Sequence, residues 1–305
     1  MQVPDGVLLV RKPKGWSSFD LVRKVKKMVR PKKLGHTGTL DPMATGLLPL
    51  VVGEATKLTR YLSDNKKRYL ARVRLGVETD TLDAEGKETG RMDVCIFDSD
   101  RLDLLGKKFT GQIEQVPPMF SAVHHNGKRL YELARKGEHV ERKARRVTIH
   151  SVEFTDFGQD FFEMDVTCSA GTYIRTLASD MARDLKTVGH LESLVRSEVG
   201  HWNIKDALDV AELNRKTIVE NIIPLEQTLE DYMHILVDEA VSTRLSQGNR
   251  LCTQELWDLG VPLSDKEQIV WFTCPSTSPI ILSRLAPAET EPAMEILRVL
   301  RPMSC

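Results

Sequence analysis

The sequence lacks the features that mark membrane and secreted proteins. Its 305 residues contain no apolar run near the roughly 18 residues that a membrane span requires. The N-terminus has only a four-residue apolar stretch at 7–10, which is too short for a secretory signal. The five cysteines are scattered, odd in number and without a CxxC pair, so they indicate neither a disulfide framework nor a zinc site. We therefore expect a cytoplasmic protein with reduced thiols and no membrane contact.

Signatures of cofactor and metal sites are also missing. The sequence has no GxxxxGK[ST] and no GxGxxG motif, so it indicates neither a nucleoside triphosphate site nor a dinucleotide fold. The acidic stretch ETDTLDAEG, residues 78–86, lacks the alternation of a calcium-binding loop and is predicted to be a polar turn after a strand. We expect no metal and no cofactor.

The net charge is zero overall but is unevenly distributed. Residues 1–205 contain eight more basic than acidic residues, whereas residues 206–305 contain eight more acidic than basic residues. Such asymmetry is typical of a polyanion-binding part beside an acidic part, although an ordinary solvated surface explains it equally well. At roughly 150 residues per domain the length suggests two domains. The change in composition after Pro224 leads us to predict them at 1–232 and 233–305.

Hydrophobic periodicity predicts strands and helices interspersed along the chain. Residues 67–77 alternate with period two, which predicts a half-buried strand with a basic outer face. An amphipathic helix with a capping-box-like start at Ser17 is predicted from the stripe Phe19, Val22, Val25 and Val29. Other strands are predicted at 7–10, 47–52 and 145–154, and other helices at 128–135 and near 174–185. Since few strand–helix–strand units are regular, we predict an α+β fold. Its central sheet is expected to be mixed, mainly antiparallel and flanked by helices, with a small β-rich domain at the C-terminus.

The stretch GHTGTLDPMATG, residues 35–46, presents one carboxylate, Asp41, on a loop rich in turn-forming residues. A carboxylate is a weakly basic nucleophile that also leaves well, so it suits covalent attack on an electrophilic sugar carbon. A guanidinium beside it would favour the charged form, and Arg175 in GTYIRT is our candidate. The alternative is that Asp41 is a turn or capping residue before Pro42.

Five stretches resemble, in the same order, motifs of the TruB family of tRNA pseudouridine synthases. The resemblance covers roughly residues 5–205, and four of the motifs surround the loop motif on both sides. They are KPKGWSSFD at 12–20, GHTGTLDPMATGLLP at 35–49, KRYLARVRLGVETDTLDAEG at 67–86, GTYIRTLASDMA at 171–182 and LESLVRSEVGHW at 191–202. Ser17 and Trp202 stand where the family usually has Thr and Phe.

The resemblance implies a pseudouridine-synthase fold that isomerises uridine 55 in the TΨC loop of tRNA without a cofactor. It implies Asp41 as the nucleophile, Arg175 as its partner and Tyr69 as the aromatic that stacks on the flipped base. Substrate or RNA contacts are implied for His36, Leu194, Lys12, Gly35 and Thr37. Candidates for phosphate contacts are Lys12, Lys24, Lys27, Lys66, Lys67, Arg142, Lys143, Arg145 and Arg146. We expect tRNA as the partner and a monomeric protein.

Other functions remain open from sequence alone. The same fold could serve a tRNA-binding or tRNA-folding protein without catalysis, or a synthase that depends on a guide RNA. A glycoside hydrolase with Asp41 as nucleophile would need a second carboxylate, and the catalytic-looking motifs offer none. Residues 233–305 resemble a PUA RNA-binding module through the fragment VDEAVSTRLSQGNRL, and their acidic charge suggests a degenerate or auxiliary one.

Overall fold

The computed structural model describes residues 2–121, 124–125, 128–129, 137–138, 140–287 and 293–302. The strands are β1 Gly6–Lys12, β2 Leu34–His36, β3 Thr45–Val52, β4 Lys67–Leu75, β5 Val77–Thr79, β6 Glu88–Arg91, β7 Gly111–Gln115, β8 His124–His125, β9 Lys128–Arg129, β10 Arg145–Phe157, β11 Phe161–Cys168, β12 Gly189–Val199, β13 Trp202–Asn203, β14 Leu208–Asp209, β15 Ile222–Pro224, β16 Met233–Leu236, β17 Gln268–Cys274, β18 Thr277–Leu285 and β19 Met294–Leu300. The α-helices are α1 Ser18–Val29, α2 Thr59–Ser63, α3 Ser99–Phe109, α4 Ile174–Asp184, α5 Arg215–Glu220, α6 Leu225–Thr228, α7 Glu239–Ser246 and α8 Thr253–Asp258, with 3-10 turns at Gly53–Leu58 and Ile204–Asp206. Of the helix predicted at 128–135, the first two residues form β9 and the rest lie outside the described residues.

Helix α1 begins with the predicted capping box, because the Ser17 side chain accepts from the Asp20 amide and the Asp20 side chain accepts from the Ser17 amide. The buried stripe differs from the prediction at one position. Phe19 is 66% exposed, and Leu21 is fully buried in the first turn instead. Ser18 also points inward, so Phe19 falls outside the buried face.

The central sheet has the predicted mixed, mainly antiparallel character. Its main strand order is β14–β1–β3–β12–β4–β11–β10–β7, with β2, β13 and β15 attached beside this path. Only the pairs β1–β14 and β3–β12 are parallel among the described strands of this sheet. Helices α1, α3 and α4 cover one face and share a core with the inward residues of β4, β11 and β12. This α+β arrangement confirms the predicted fold class.

The other face of the sheet is divided between a second sheet and solvent. A four-stranded sheet, β16–β17–β18–β19, packs there, because Trp271 and Leu282 share a buried cluster with Val7 and Leu47 of β1 and β3. All four of its strands follow residue 232, and the domain boundary at that residue remains a prediction.

The outer face of β4 carries the predicted arginines, Arg68, Arg72 and Arg74. Each is paired with carboxylates on neighbouring elements, namely Asp165, Glu198, Glu163, Glu192 and Asp160. Because β4 lies between β11 and β12, each of these arginines has a register partner on both neighbouring strands. These five carboxylates outnumber the three arginines, so this surface is poorly suited to bind a polyanion.

Candidate active site

The loop between β2 and β3 is held against the N-terminus of α1. The Ser18 hydroxyl accepts from the Leu40 amide at 2.8 Å and donates to the Leu40 carbonyl oxygen at 3.1 Å. On the other side of Asp41, the Gly15 amide donates to the Pro42 carbonyl oxygen at 2.8 Å. The residues on both sides of Asp41 are thus fixed to the segment that starts α1, so the position of its carboxylate is defined before any ligand binds.

Gly46 ends this loop where it meets β12. Its φ of 107° lies in the region that favours glycine, and a Cβ at this position would lie 2.3 Å from the Arg196 carbonyl oxygen. Only glycine therefore allows β3 to approach β12 this closely, and the approach brings the loop to the end of β12 that carries the site.

The structure brings Asp41 and Arg175 together. Arg175 lies in the first turn of α4, is 4% exposed, and its Nε is 2.9 Å from Asp41 Oδ2. Its Nη1 donates to the Thr81 carbonyl oxygen at 2.9 Å, and its Nη2 donates to the Phe120 carbonyl oxygen at 2.7 Å. The guanidinium is therefore fixed by two carbonyl oxygens, and its Nε faces the Asp41 carboxylate. The Asp41 side chain is 36% exposed.

A second carboxylate, Asp83, shares the same guanidinium. Its Oδ2 is 3.4 Å from Arg175 Nη1, and its Oδ1 accepts from the Thr81 hydroxyl at 2.6 Å and the Glu85 amide at 3.1 Å. The predicted polar turn is present, but Asp83 is buried within it. The sequence contains no pattern that separates Asp83 from its acidic neighbours, and only the fold places it behind Arg175. It does not line the cavity described below, so it is not placed as the acid partner of a glycoside hydrolase.

Burial raises the pKa of the Asp41 carboxyl above its ordinary value. Arg175 opposes that shift and lowers the pKa, whereas the negative charge of Asp83 raises it further. Arg175 thus favours the ionised form as expected, but it does not cancel the effect of desolvation. The result is a carboxylate that binds a proton more readily than an exposed aspartate does.

Asp41 and Arg175 lie at the edge of a cavity of about 400 Å³, which Tyr69 and Leu194 also line. Tyr69 lies on the buried face of β4, and Leu194 lies on the adjacent strand β12 opposite Ala71. Burial raises the pKa of the Tyr69 hydroxyl, which therefore stays protonated. The cavity thus combines an aromatic ring and an aliphatic side chain with one ion pair, which suits a flat polar ring attached to a sugar.

Arg196 is a site residue that the sequence analysis did not single out. It is 1% exposed, its Nε donates to the Leu47 carbonyl oxygen at 2.8 Å, and its Nη2 donates to the Gly38 carbonyl oxygen at 3.1 Å. It lies opposite Tyr69 in the register of β12 and β4, and it lines the cavity. The sequence contains one indication of this position. Arg196 follows Leu194 by two residues on a strand, so the two side chains point to the same face of the sheet.

The other predicted binding residues fall into two groups. Thr37 lines the cavity, and its Oγ1 is buried with no hydrogen-bond partner among the described residues. Gly35 and His36 lie on β2 outside the cavity lining. His36 Nδ1 accepts from the Gly38 amide at 3.3 Å, and burial lowers the pKa of its imidazole. His36 therefore supports the loop rather than the cavity wall.

Two of the lysines predicted to contact phosphates, Lys12 and Lys67, are buried. Lys12 is fully buried, and its Nζ donates to the carbonyl oxygens of Pro13, Trp16 and Pro42 at 3.0, 2.6 and 3.3 Å. Lys67 is 7% exposed and donates to two carbonyl oxygens of its own turn. Burial lowers the pKa of each ammonium to about 8. Both lysines hold backbone segments together; Lys12 lies outside the cavity lining, whereas Lys67 forms part of it.

Within the described ranges, no helix is both long and apolar enough to cross a membrane. In the same part of the chain, no group of three or more His, Cys, Asp and Glu side chains is arranged to hold a metal ion.

The chain is similar to known proteins in sequence and in fold. The family model described as "TruB family pseudouridylate synthase (N terminal domain)" matches residues 26–174. The chain is 44% identical over 244 residues to tRNA pseudouridine synthase B of Clostridium kluyveri, covering 80% of this chain and 84% of that relative. It is 45% identical over 263 residues to the protein of the same name from Cupriavidus metallidurans, covering 84% and 83%. Among solved structures, the fold is similar to a chain of "Crystal Structure of a Cbf5-Nop10-Gar1 Complex", with a TM-score of 0.72, 21% identity, and coverage of 96% of this chain and 84% of that one.

Proposed function

The chain belongs to the TruB family of pseudouridine synthases, and we propose that it isomerises uridine 55 in the TΨC loop of tRNA, with Asp41 as nucleophile. The curated relatives above carry the name tRNA pseudouridine synthase B. Pseudouridylation of tRNA is the activity of this family. The modified position in tRNA and the roles of individual residues are our proposal.

The observation that carries the proposal is the Asp41–Arg175 ion pair at 2.9 Å on the edge of the cavity that contains Tyr69. A nucleophilic carboxylate must be charged and oriented, and a fixed guanidinium at hydrogen-bond distance does both. The partial exposure of Asp41 beside an almost fully buried Arg175 leaves carboxylate surface available to a substrate.

The lining of the cavity supports the proposal that a flipped uridine is held there. Taking a base out of its stack costs a few kcal/mol, and stacking on an aromatic side chain returns about 1–3 kcal/mol. We assign the stacking contact to Tyr69 and the opposite apolar contact to Leu194. The buried Thr37 hydroxyl supplies a hydrogen-bonding group in the same cavity.

In the proposed reaction, an oxygen of Asp41 bonds to C1′ of the ribose while the bond from C1′ to N1 of the base breaks. The base leaves with that electron pair and turns over. C5 then bonds to C1′ as the bond to Asp41 breaks, the proton on C5 passes to solvent, and N1 gains a proton. A second route begins when Asp41 removes the proton from the neighbouring sugar carbon. Both routes exchange one bond for another without redox change, so neither requires a cofactor.

The substrate in this proposal is one stem-loop of tRNA, because RNA of this kind is recognised by its shape and its unpaired bases. We propose that the protein acts as a monomer and without a guide RNA. Turnover of a bare tRNA transcript tests the second point directly, since a guide-dependent enzyme would leave such a transcript unchanged.

The experiment that tests the function is release of tritium from a tRNA transcript labelled at uracil C5. We compare the native protein with Asp41→Asn, and use Asp103→Asn, an exposed carboxylate on α3, as the matched control. Release by the native protein and by the control, with none from Asp41→Asn although it still binds the transcript, supports the proposal. Equal release from Asp41→Asn would place the nucleophile elsewhere. Binding without release from the native protein would favour a tRNA-folding role, and free uracil would indicate a hydrolase.

A further inference from the structure

The exposed face of α1 carries a continuous stripe that is basic apart from one aromatic residue. Phe19 begins it and is 66% exposed. Arg23, Lys26 and Lys27 follow at helical spacing, Arg30 follows them as the C-cap residue of α1, and all four are exposed. We call these five residues the α1 stripe. An amphipathic helix needs polar residues on this face, but it does not need them to have one sign or to begin with an exposed aromatic.

The charge of the α1 stripe is not neutralised as it is elsewhere on the protein. Each arginine on the outer face of β4 meets at least one carboxylate, whereas within the stripe only Arg23 does among the described residues, through Asp20. The side chains of Lys26, Lys27 and Arg30 have no ion pair or hydrogen bond in the same part of the chain. Cations in the last turn of a helix do favour its dipole by about 0.3–1 kcal/mol each. That benefit explains Lys26 and Lys27, but it explains neither Arg23 nor the exposed ring of Phe19.

The stripe starts at the catalytic loop. Ser18, the residue before Phe19, holds Leu40 by two hydrogen bonds, and Leu40 immediately precedes Asp41. From there the 12 residues of α1 run away from the loop for about 18 Å at 1.5 Å per residue. A ligand strand leaving the cavity on this side would therefore meet Phe19 first and the cations after it.

The aromatic end of the stripe is suited to stacking. The Arg23 guanidinium lies over the Phe19 ring, 5.5 Å from its centre, and both side chains are exposed. Unpaired bases stack on aromatic rings and on arginine planes, and their phosphates pair with neighbouring cations. Surface aromatics with flanking unpaired cations are thus the chemistry that recognises single-stranded or loop RNA.

We propose that the α1 stripe is a docking surface for the RNA strand that enters the cavity, with an unpaired base on Phe19 and phosphates along Arg23, Lys26, Lys27 and Arg30. The identity of that RNA as tRNA rests on the proposed function. The surface itself rests on the exposure, charge and position of α1.

The charge component is tested by the salt dependence of RNA binding. The probe is a TΨC stem-loop transcript, bound to protein that carries Asp41→Asn so that no turnover occurs. Lys26→Gln with Lys27→Gln is compared with Lys107→Gln and Lys186→Gln, a pair that removes the same charge from exposed positions elsewhere. Each lost phosphate contact reduces the slope of log K against log salt by about 0.7–0.9. We expect a reduction of about 1.4–1.8 for the first pair and none for the second, and equal slopes for both pairs would overturn the proposal.

The stacking component is tested at Phe19. Phe19→Tyr keeps a ring, whereas Phe19→Leu keeps an apolar side chain but cannot stack. We expect Phe19→Leu to weaken binding of the stem-loop at least fivefold, the lower end of the stacking range, and Phe19→Tyr to stay within about twofold. Because the side chain is exposed, thermal unfolding should be unchanged in both. Native affinity in both variants would overturn the proposed stacking of a base on Phe19.

The test of the α1 stripe and the test of the proposed function can fail independently. A native protein that releases no tritium but binds the stem-loop with these dependences would retain the surface and lose the catalytic proposal. An active protein whose affinity for the stem-loop is unaffected by changes in the stripe would retain the catalytic proposal and lose the surface.

Discussion

Asp83→Asn separates the electrostatic role of Asp83 from simple structural support. Asp83 and Asp41 share the Arg175 guanidinium, and the charge of Asp83 raises the pKa of Asp41. Removing that charge leaves Arg175 to act on Asp41 alone, so the pKa of Asp41 falls. If catalysis requires ionised Asp41, the acid limb of the pH–kcat profile moves to lower pH.

The contacts of Asp83 and Arg175 set the expected size of the effect of Asp83→Asn on stability and on rate. Breaking a buried pair costs about 3–5 kcal/mol when the remaining charge is uncompensated. Here Arg175 keeps Asp41 and two carbonyl oxygens, and the side-chain amide introduced by Asp83→Asn can still accept from the backbone amide of Glu85. We therefore expect a loss of about 2 kcal/mol, below the range for an uncompensated charge. A displacement of about 1 Å at a catalytic group lowers the rate about 100-fold. We expect kcat to fall by about that factor, with KM within about threefold.

The assay is tritium release over a pH series, together with urea unfolding. Asp80→Asn is the matched control, because Asp80 is an exposed carboxylate of the same turn whose side chain accepts from the Lys87 amide at 2.8 Å. The reasoning is refuted if Asp83→Asn lowers kcat while the acid limb stays in place or moves to higher pH. An unchanged kcat with an unchanged acid limb would show that Asp83 does not influence Asp41.

Three further predictions concern the cavity, the buried lysines and the C-terminal sheet. Tyr69→Ala should lower kcat/KM by about 5- to 150-fold through lost stacking, whereas Tyr69→Phe should keep most activity; equal losses in tritium release would contradict a stacking role. Burial lowers the pKa of Lys12 and Lys67 to about 8. Between about pH 8 and 10.5 the unfolded chain therefore binds more protons than the folded chain. The free energy of unfolding should rise with pH in that range. In Lys12→Met that rise should be smaller by urea unfolding, and an unaltered rise would mean that Lys12 ionises normally. Trp271→Ala should cost about 3–5 kcal/mol in one unfolding transition, because Trp271 packs against the central sheet; two separate transitions would show that the two sheets unfold independently.

Much of the architecture follows from the sequence, because local patterns report local structure. The capping box at Ser17 and the period-two pattern of 67–77 depend on neighbouring residues only, and both appear where they were predicted. The contrast between turn-rich and periodic segments likewise locates the loop that carries Asp41 before the strand β3, whereas the short strand β2 that precedes the loop was not predicted. The motif resemblance adds the family, which the comparisons with curated relatives show.

The positions of single side chains around the site were decided by tertiary structure. Lys12 and Lys67 read as surface cations in the sequence, yet the fold buries them on backbone carbonyl groups. Phe19 fits an apolar stripe by spacing, but the direction from which the core covers α1 leaves it in solvent.

Asp83 and Arg196 show why the remainder of the site could not be predicted from the sequence. Asp83 lies 92 residues from Arg175 and 42 from Asp41, and Arg196 lies 158 residues from the Gly38 carbonyl oxygen that it holds. The sequence by itself determined several of the strands and helices, and where Asp41 and its loop lie along the chain. Only the pairing of β3, β4 and β12 and the placement of α4 decided which charges surround that carboxylate. Charge interactions act through space, so their partners, and the pKa values that result, are set by the fold and not by proximity along the chain.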